Sequence, residues 1–587
     1  MTETSNFPLF KRPLHILLIL SPVFFAIFLL FIACTYRQEK PDRDFEAYTR
    51  TLFCQEITTN TLNLHYTLAS PKDYGIESYP LTLGNYSADD TPYIVQLENM
   101  SYRLHSIPYE KLSPANRLTY DILTYYVQVY QQGTELSPFL NDYISPTLGI
   151  QAQLPVLFAE YAFYTSQDVE DYLSLIRSMP EYFQQIIDFE MQKAQQGYFM
   201  NSESAQKVID QIQEILKNKE SFFLRESFRK KLEALTTLTS QQRKSYETAH
   251  EKLLKESFFP SYEQLSTCLH TLTPYSRAPV GLYYYPQGKL YYEYLLQSEI
   301  GTTDSLEIIR TRLLKKLSQD YEQFTHLYAK TSTQAAANDT LKALETSTPK
   351  QMLQNLNRII TKDFPLLADT TYQIKNVDES LQSYLSPAFY FIPPLDKMNT
   401  NIIYLNPSSD LKGVELYTTL AHEGFPGHLY QTQTFAKTNP NPIRYLYSND
   451  GYIEGWATYV ESFAYHYALD TTSPDTAQMQ WLNRSINLNL ASILDLSIHY
   501  YGWTESQCRQ FLLNFGITDT ANIHDWYLTI LETPANYLKY YYGYYNFALL
   551  SQKCKSKQKE SYSEKEFHQT ILTIGPAPFP ILEKYCN

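Results

Sequence analysis

Leu416-Tyr417-Thr418-Thr419-Leu420-Ala421-His422-Glu423-Gly424-Phe425-Pro426-Gly427-His428 is the stretch from which the rest of the chain can be read. A helical run leads into His422-Glu423, and a second histidine, His428, follows. Zinc hydrolases need neutral nitrogen donors, an anionic oxygen donor and one open position for water. They also need a carboxylate beside that water as general base. Adjacent His422 and Glu423 supply a ligand and the base together. Histidines that share a metal on one helix stand four residues apart, whereas these stand six apart, about 120° around an unbroken helix. Pro426 answers the mismatch. It lacks a backbone donor and its ring clashes with the carbonyl four residues back, that of His422 itself. With Gly427 adding freedom, the helix is expected to break and bring His428 round.

Working outward, the third ligand is expected from the helical segment Tyr452-Ile453-Glu454-Gly455-Trp456-Ala457-Thr458-Tyr459-Val460-Glu461. Its two acids are seven residues apart and share a helical face. Glu454 is assigned as ligand and Glu461 as the carboxylate behind the metal site. Upstream, Asn401-Ile402-Ile403-Tyr404-Leu405, closed by Asn406-Pro407, is the best strand signal in the chain. It reads as a short β edge before the metal-binding helix, along which a peptide could be added as a strand, with Asn406 near the peptide backbone.

The remainder reads as mostly α: two helical lobes enclosing an active-site cleft. The expected divisions are 1–34 as signal or membrane anchor, 35–45 as tether, 46–275 as N-terminal helical lobe and 276–587 as C-terminal catalytic lobe. Asp168–Phe183 and Ser202–Leu216 carry apolar residues at three- and four-residue spacing, with Ser202 as a capped start. Glu220–Ser257 reads as helix with a solvated, charged face. The Pro-, Gly- and Tyr-rich segment Pro274–Gly288 marks the division between the lobes.

At the N-terminus, Lys11 and Arg12 precede an almost uncharged run from Leu14 to Ala33, whose twenty residues span about 30 Å as a helix, enough to cross a bilayer. The run ends Phe31-Ile32-Ala33-Cys34, so Cys34 stands where a bacterial lipoprotein is lipidated; an uncleaved signal anchor is the alternative. Either way the large domain is expected on the extracytoplasmic face of the cell membrane. The 587 residues carry a formal net charge of −14, which excludes a basic nucleic-acid-binding face. The six cysteines form no C-x-x-C pair, against a cysteine zinc site. A pairing such as Cys554 with Cys586 is open outside the cell. Most of the 53 tyrosines are expected in partly buried packing.

His-Glu-Gly-Phe-Pro-Gly-His followed by Glu-Gly-Trp-Ala resembles the bacterial domain family of unknown function numbered 885, whose members look like zinc metallopeptidases. Pro286-Gln287-Gly288-Lys289 with Tyr291-Tyr292, Pro387-Ala388-Phe389-Tyr390 and the Asn401–Asn406 strand also resemble elements of that family. So do Asp495 to His499 with Gly502-Trp503-Thr504, Pro534 to Gly543, and Gly575-Pro576-Ala577-Pro578, all in family order. The resemblance implies His499 and Tyr540 as neutral donors to the oxyanion of amide hydrolysis, and Tyr390 with Asn406 on the substrate side. Leu429 stands where relatives often have a further histidine, and Leu488 and Ala491 where they tend to carry arginine, so substrate preference does not carry over.

The expected function is therefore a zinc-dependent metallopeptidase acting on a peptide substrate, with His422, His428 and Glu454 as ligands and Glu423 as base. A zinc hydrolase of another amide, or a non-catalytic surface binding protein of the same fold, are the alternatives. Retention of Glu423 favours catalysis, because a structural zinc needs no base.

Overall fold

In a computed structural model, the described residues are 40–586 apart from 332–343, 369, 380, 381, 383, 384 and 470–473. The Leu14–Ala33 run and Cys34 lie outside them. The chain is mostly helical, with one small sheet. Capping starts the N-terminal helices. Thr165 and Asp168 form a reciprocal capping box that opens Ser166–Gln195, whose residues Val169, Tyr172, Leu173, Ile176, Met179 and Phe183 recur at helical spacing and are buried. Ser202–Lys217 starts as expected, but its cap is Asn201, whose side-chain Oδ1 accepts the Ser204 N–H at 2.9 Å. The charged 220–257 region is helical, as Leu224–Ala234 and Ser240–Leu253. The second opens on its own capping box, Thr239 with Gln242. Among the described residues no helix is long and apolar enough to cross a membrane, and the five cysteines Cys54, Cys268, Cys508, Cys554 and Cys586 are free thiols.

Two apolar cores form, and they do not follow chain order. One is built from residues between Leu62 and Leu272, joined by Val377. The other unites Phe45 to Leu140 with Leu282 to Leu582, so the first helices of the chain pack with the half that carries His422 and His428.

The sheet has three strands, β1 (Tyr372–Asn376), β2 (Ala388–Phe391) and β3 (Asn401–Leu405), in the order β1-β3-β2. β1 runs parallel to β3 with Tyr372 opposite Asn401, and β2 runs antiparallel with Tyr390 opposite Ile403. The strand expected at Asn401–Leu405 is therefore present but central. Both its edges are paired, and the strand with a free edge on the side of His422 is β2.

Two helices frame the site from behind. Asp450–Leu469 and Asn536–Gln558 cross at glycines: a Cβ on Gly455 would stand 2.5 Å from the Cα of Gly543, and one on Gly543 would stand 2.3 Å from the Gly451 carbonyl oxygen. Backbone meets backbone at this crossing. It holds Tyr540, three residues before Gly543, against Glu454, the neighbour of Gly455.

Candidate metal centre

The helix Gly413–Glu423 ends at Glu423, and a second helix, His428–Lys437, begins at His428. The break falls where Pro426 and Gly427 require it. The Gly427 N–H turns back to the Ala421 carbonyl at 2.9 Å, and a Cβ on Gly427 would lie 1.8 Å from the His422 carbonyl oxygen, so a side chain cannot be accommodated there. Buried Trp456 donates its indole N–H to the Pro426 carbonyl at 2.9 Å. The tryptophan beside Glu454 thus fixes the turn that aims His428.

The result is a convergence of donors. The His422 and His428 rings sit 4.7 Å apart between centroids, nearly perpendicular at 87°. Glu454 Oε2 is 3.4 Å from His422 Nε2 and 3.5 Å from His428 Nε2. Donor atoms held at about 2.0–2.1 Å from one tetrahedral ion stand about 3.3–3.4 Å from each other. The three residues therefore fit a zinc ion. Glu423 is at hand as well, since donor atoms of His422, Glu423 and His428 lie within 4.8 Å of one another. One Glu423 oxygen, Oε2, accepts the backbone N–H of Tyr390 on β2 at 2.8 Å.

Behind His422, Glu461 Oε1 accepts the Nδ1–H at 2.8 Å, which leaves Nε2 as the metal-facing donor. Glu461 is in turn gripped by Arg484, from Nε to Oε2 at 2.9 Å and from Nη2 to Oε1 at 3.3 Å. Burial alone would raise the Glu461 carboxyl, but Arg484 and His422 outweigh it and hold it at about 2. Burial likewise opposes a charged His422, yet its hydrogen bonds to Glu454 and Glu461 lift that imidazole to about 10. Arg484 was not foreseen. It is the one arginine of Pro474–His499, a lone cation on a helix whose inner half is buried, and that was the signal available.

Tyr540 stands at the centre, its ring 6.5 Å from that of His422. Burial, reinforced by the Glu454 carboxylate, pushes its phenol well above the ordinary tyrosine value, so it stays a proton-bearing donor. A cavity of about 470 Å³ opens onto His422, Glu423, His428, Glu454, Tyr390 and Tyr540.

Two expected site residues are not part of this cluster. His499 is buried, with both ring nitrogens committed: Nδ1 accepts the Leu282 N–H at 3.2 Å and Nε2–H donates to the Ile530 carbonyl at 2.9 Å. Burial lowers its pKa to about 4, and it lines a separate cavity of about 70 Å³. The Asp-x-x-x-His element is instead a brace. Buried Asp495 accepts the Tyr292 hydroxyl at 2.8 Å and the N–H groups of Ala535 and Tyr537 at 3.0 and 3.3 Å. It thereby holds Ala535 at a left-handed φ of 64° at the start of the Tyr540 helix. Asn406 is buried too. Its side-chain amide donates to the carbonyls of Gln382 and Leu385 at 2.8 and 2.9 Å, tying down the loop before β2. Of the substrate-side pair, only Tyr390 lines the cavity, while its hydroxyl donates to Asn401 Oδ1 at 2.6 Å.

The helical fold thus gathers two histidines and two glutamates around one point, a donor set that could hold a metal ion. Residues 80–585 match the sequence profile described as bacterial protein of unknown function (DUF885), and the chain belongs to that family. A protein of Colwellia psychrerythraea, provisionally described as a lipoprotein, shares the fold at a TM-score of 0.80 and 17% identity over 93% of this chain and 99% of that one. A provisionally described lipoprotein of unknown function from Shewanella oneidensis aligns at a TM-score of 0.64 and 15% identity over 92% and 99%. No curated protein is significantly similar to the chain.

Proposed function

We propose that the chain is a zinc-dependent hydrolase of peptide bonds, with zinc held by His422, His428 and Glu454 and the proton handled by Glu423. The observation that carries this is the 3.4 and 3.5 Å spacing of Glu454 Oε2 from both imidazole Nε2 atoms, with a further carboxylate alongside. When bound, zinc supplies Lewis acidity: it polarises an amide carbonyl and makes water acidic enough to ionise near neutral pH. Glu423, anchored by the Tyr390 N–H through Oε2, keeps its other oxygen to accept a proton from attacking water and return it to the leaving amine. The Tyr540 phenol, kept protonated by its surroundings, donates to the oxyanion that develops on the carbonyl. Glu461 and Arg484 hold the His422 ring in one tautomer and one orientation.

Glu423 is also close enough to be the anionic ligand in place of Glu454, and a pair of variants separates the roles. Glu423→Gln is expected to keep zinc at about one per chain while turnover falls about 10²–10⁴-fold. Glu454→Gln is expected to lose zinc and activity together. Zinc loss from Glu423→Gln with retention in Glu454→Gln would reverse the assignment. Near-normal turnover in Glu423→Gln would sink the mechanism and favour a binding protein. The exported, membrane-held location is proposed from Lys11-Arg12, the apolar run and Cys34, and is supported by fold relatives described provisionally as lipoproteins.

A further inference from the structure

We infer that the cavity beside the metal residues seats uncharged, apolar side chains flanking the bond to be cut, so that the substrate is an apolar stretch of peptide engaged away from its terminal carboxylate. This rests on the hydrolase proposed above and names its substrate class. Among the described residues that line the cavity, the only charged or histidine side chains are His422, Glu423, His428 and Glu454. All four are committed to one another, to the metal position or to the Tyr390 N–H. The apolar part of the wall is Phe389, Ile392, Leu395, Phe435, Leu446 and Ile453, beside uncharged polar residues such as Gln431, Thr432 and Ser448.

Ile392 directly follows the end of β2 and is 55% exposed. A large apolar side chain left in water at the mouth of a polar centre is covered when an apolar substrate enters. No lysine or arginine is among the lining residues, so a substrate carboxylate would be desolvated with no counter-charge and would face Glu423 and Glu454. A substrate cation would be desolvated against carboxylates already paired. Both outcomes are unfavourable for a charged group moved out of water. At about 470 Å³ the space is within the range of small-ligand sites, about 300–1,000 Å³, which suits one or two side chains and not a folded partner.

The test uses the full chain loaded with zinc and quenched peptides of one length whose residues flanking the central bond are Leu and Phe, Lys, or Asp. Each peptide is made with a free and an amidated C-terminus. Binding of the same peptides to the metal-depleted chain is measured by calorimetry. The Leu and Phe peptides are expected to exceed the Asp peptides by about 10–100-fold in kcat/KM, with no dependence on the C-terminal group. Ile392→Lys, at the exposed rim, should lower the Leu and Phe values about 10-fold and raise the Asp values, narrowing the ratio. Hydrolysis without apolar preference, or a 10-fold requirement for a free C-terminal carboxylate, overturns the apolar seat and leaves the hydrolase standing. Selective binding of the apolar peptides with no hydrolysis of any peptide removes the hydrolase and keeps the seat. Neither hydrolysis nor selective binding removes both.

Discussion

Replacing a glycine inside a helix by alanine ordinarily stabilises a protein by about 0.5–1 kcal/mol, because alanine gives up less backbone freedom on folding. At Gly455 the sign should reverse. The added Cβ would lie 2.5 Å from the Cα and carbonyl carbon of Gly543 and 3.0 Å from the Tyr544 nitrogen. Carbons in contact settle at about 3.5–4.0 Å, so the helices Asp450–Leu469 and Asn536–Gln558 must part by about 1 Å. Overpacking of that kind costs about 1–3 kcal/mol, and alanine's helix preference returns about 1, leaving a net loss of about 0–2 kcal/mol. The larger effect falls on the site. Glu454 precedes Gly455 and Tyr540 is one turn from Gly543, so parting the helices moves the phenol from the proposed ligands by about the same 1 Å. A misplacement of that size costs about 10²-fold in rate. Urea midpoint, zinc stoichiometry and kcat on the best peptide would be measured together. Zinc should remain, because Trp456 and Pro426 tie Glu454 to the histidines without involving Gly543. A variant that is more stable than the parent and turns over normally would refute the tight crossing as the device that sets Tyr540.

Glu461→Gln removes the charged acceptor behind His422 and should weaken zinc about 10–100-fold in chelator competition; unchanged affinity would show the ring needs no such support. Trp456→Phe removes the donor to the Pro426 carbonyl, and an unmet buried acceptor costs about 1–3 kcal/mol, read as a lower urea midpoint together with weaker zinc binding. Burial raises the Asp495 carboxyl to about 7, so its contribution to stability is full below the unfolded value of about 4 and is lost as pH rises through about 7, steepest at about 1.4 kcal/mol per pH unit. Urea titrations at pH 5 and 7.5 should show that loss, reduced in Asp495→Asn. Cys34→Ala should release or misprocess a lipoprotein in membrane fractionation and leave a signal-anchored protein in place; a mainly soluble cytoplasmic pool would defeat both anchors.

The local geometry of the candidate site was legible in the sequence, because it is written in residues near one another. The six-residue spacing of His422 and His428, with Pro426 between, demands a break, and the break is there. Glu454 and Glu461 share a helical face by their spacing alone. What escaped depends on pairings across the chain. Asn401–Leu405 reads as an edge until Tyr372–Asn376 is placed beside it, and that segment carries three polar residues and no strong strand signature. His499 and Asn406 have the side-chain types of site residues. Their donors and acceptors are consumed by Leu282, Ile530, Gln382 and Leu385, partners that sequence spacing does not reveal. Arg484 reaches Glu461 from another helix, and the union of Phe45–Leu140 with the C-terminal half is likewise a matter of tertiary packing.

The bond from the Tyr390 N–H to Glu423 has a metric consequence. Along β2 the groups of Pro387 face β3, where its carbonyl accepts the Asn406 N–H, while Tyr390 faces the other way. By the alternation of an antiparallel strand, Ala388 presents its backbone outward with Tyr390, and the strand ends at Phe391. An extended chain laid against this margin meets the Tyr390 N–H already engaged by the carboxylate, with the Ala388 rung about 6.8 Å away. The margin is a graduated scale with its origin at Glu423. A chain displaced along it by a single residue turns every side chain to the opposite face, so the scale admits steps of two.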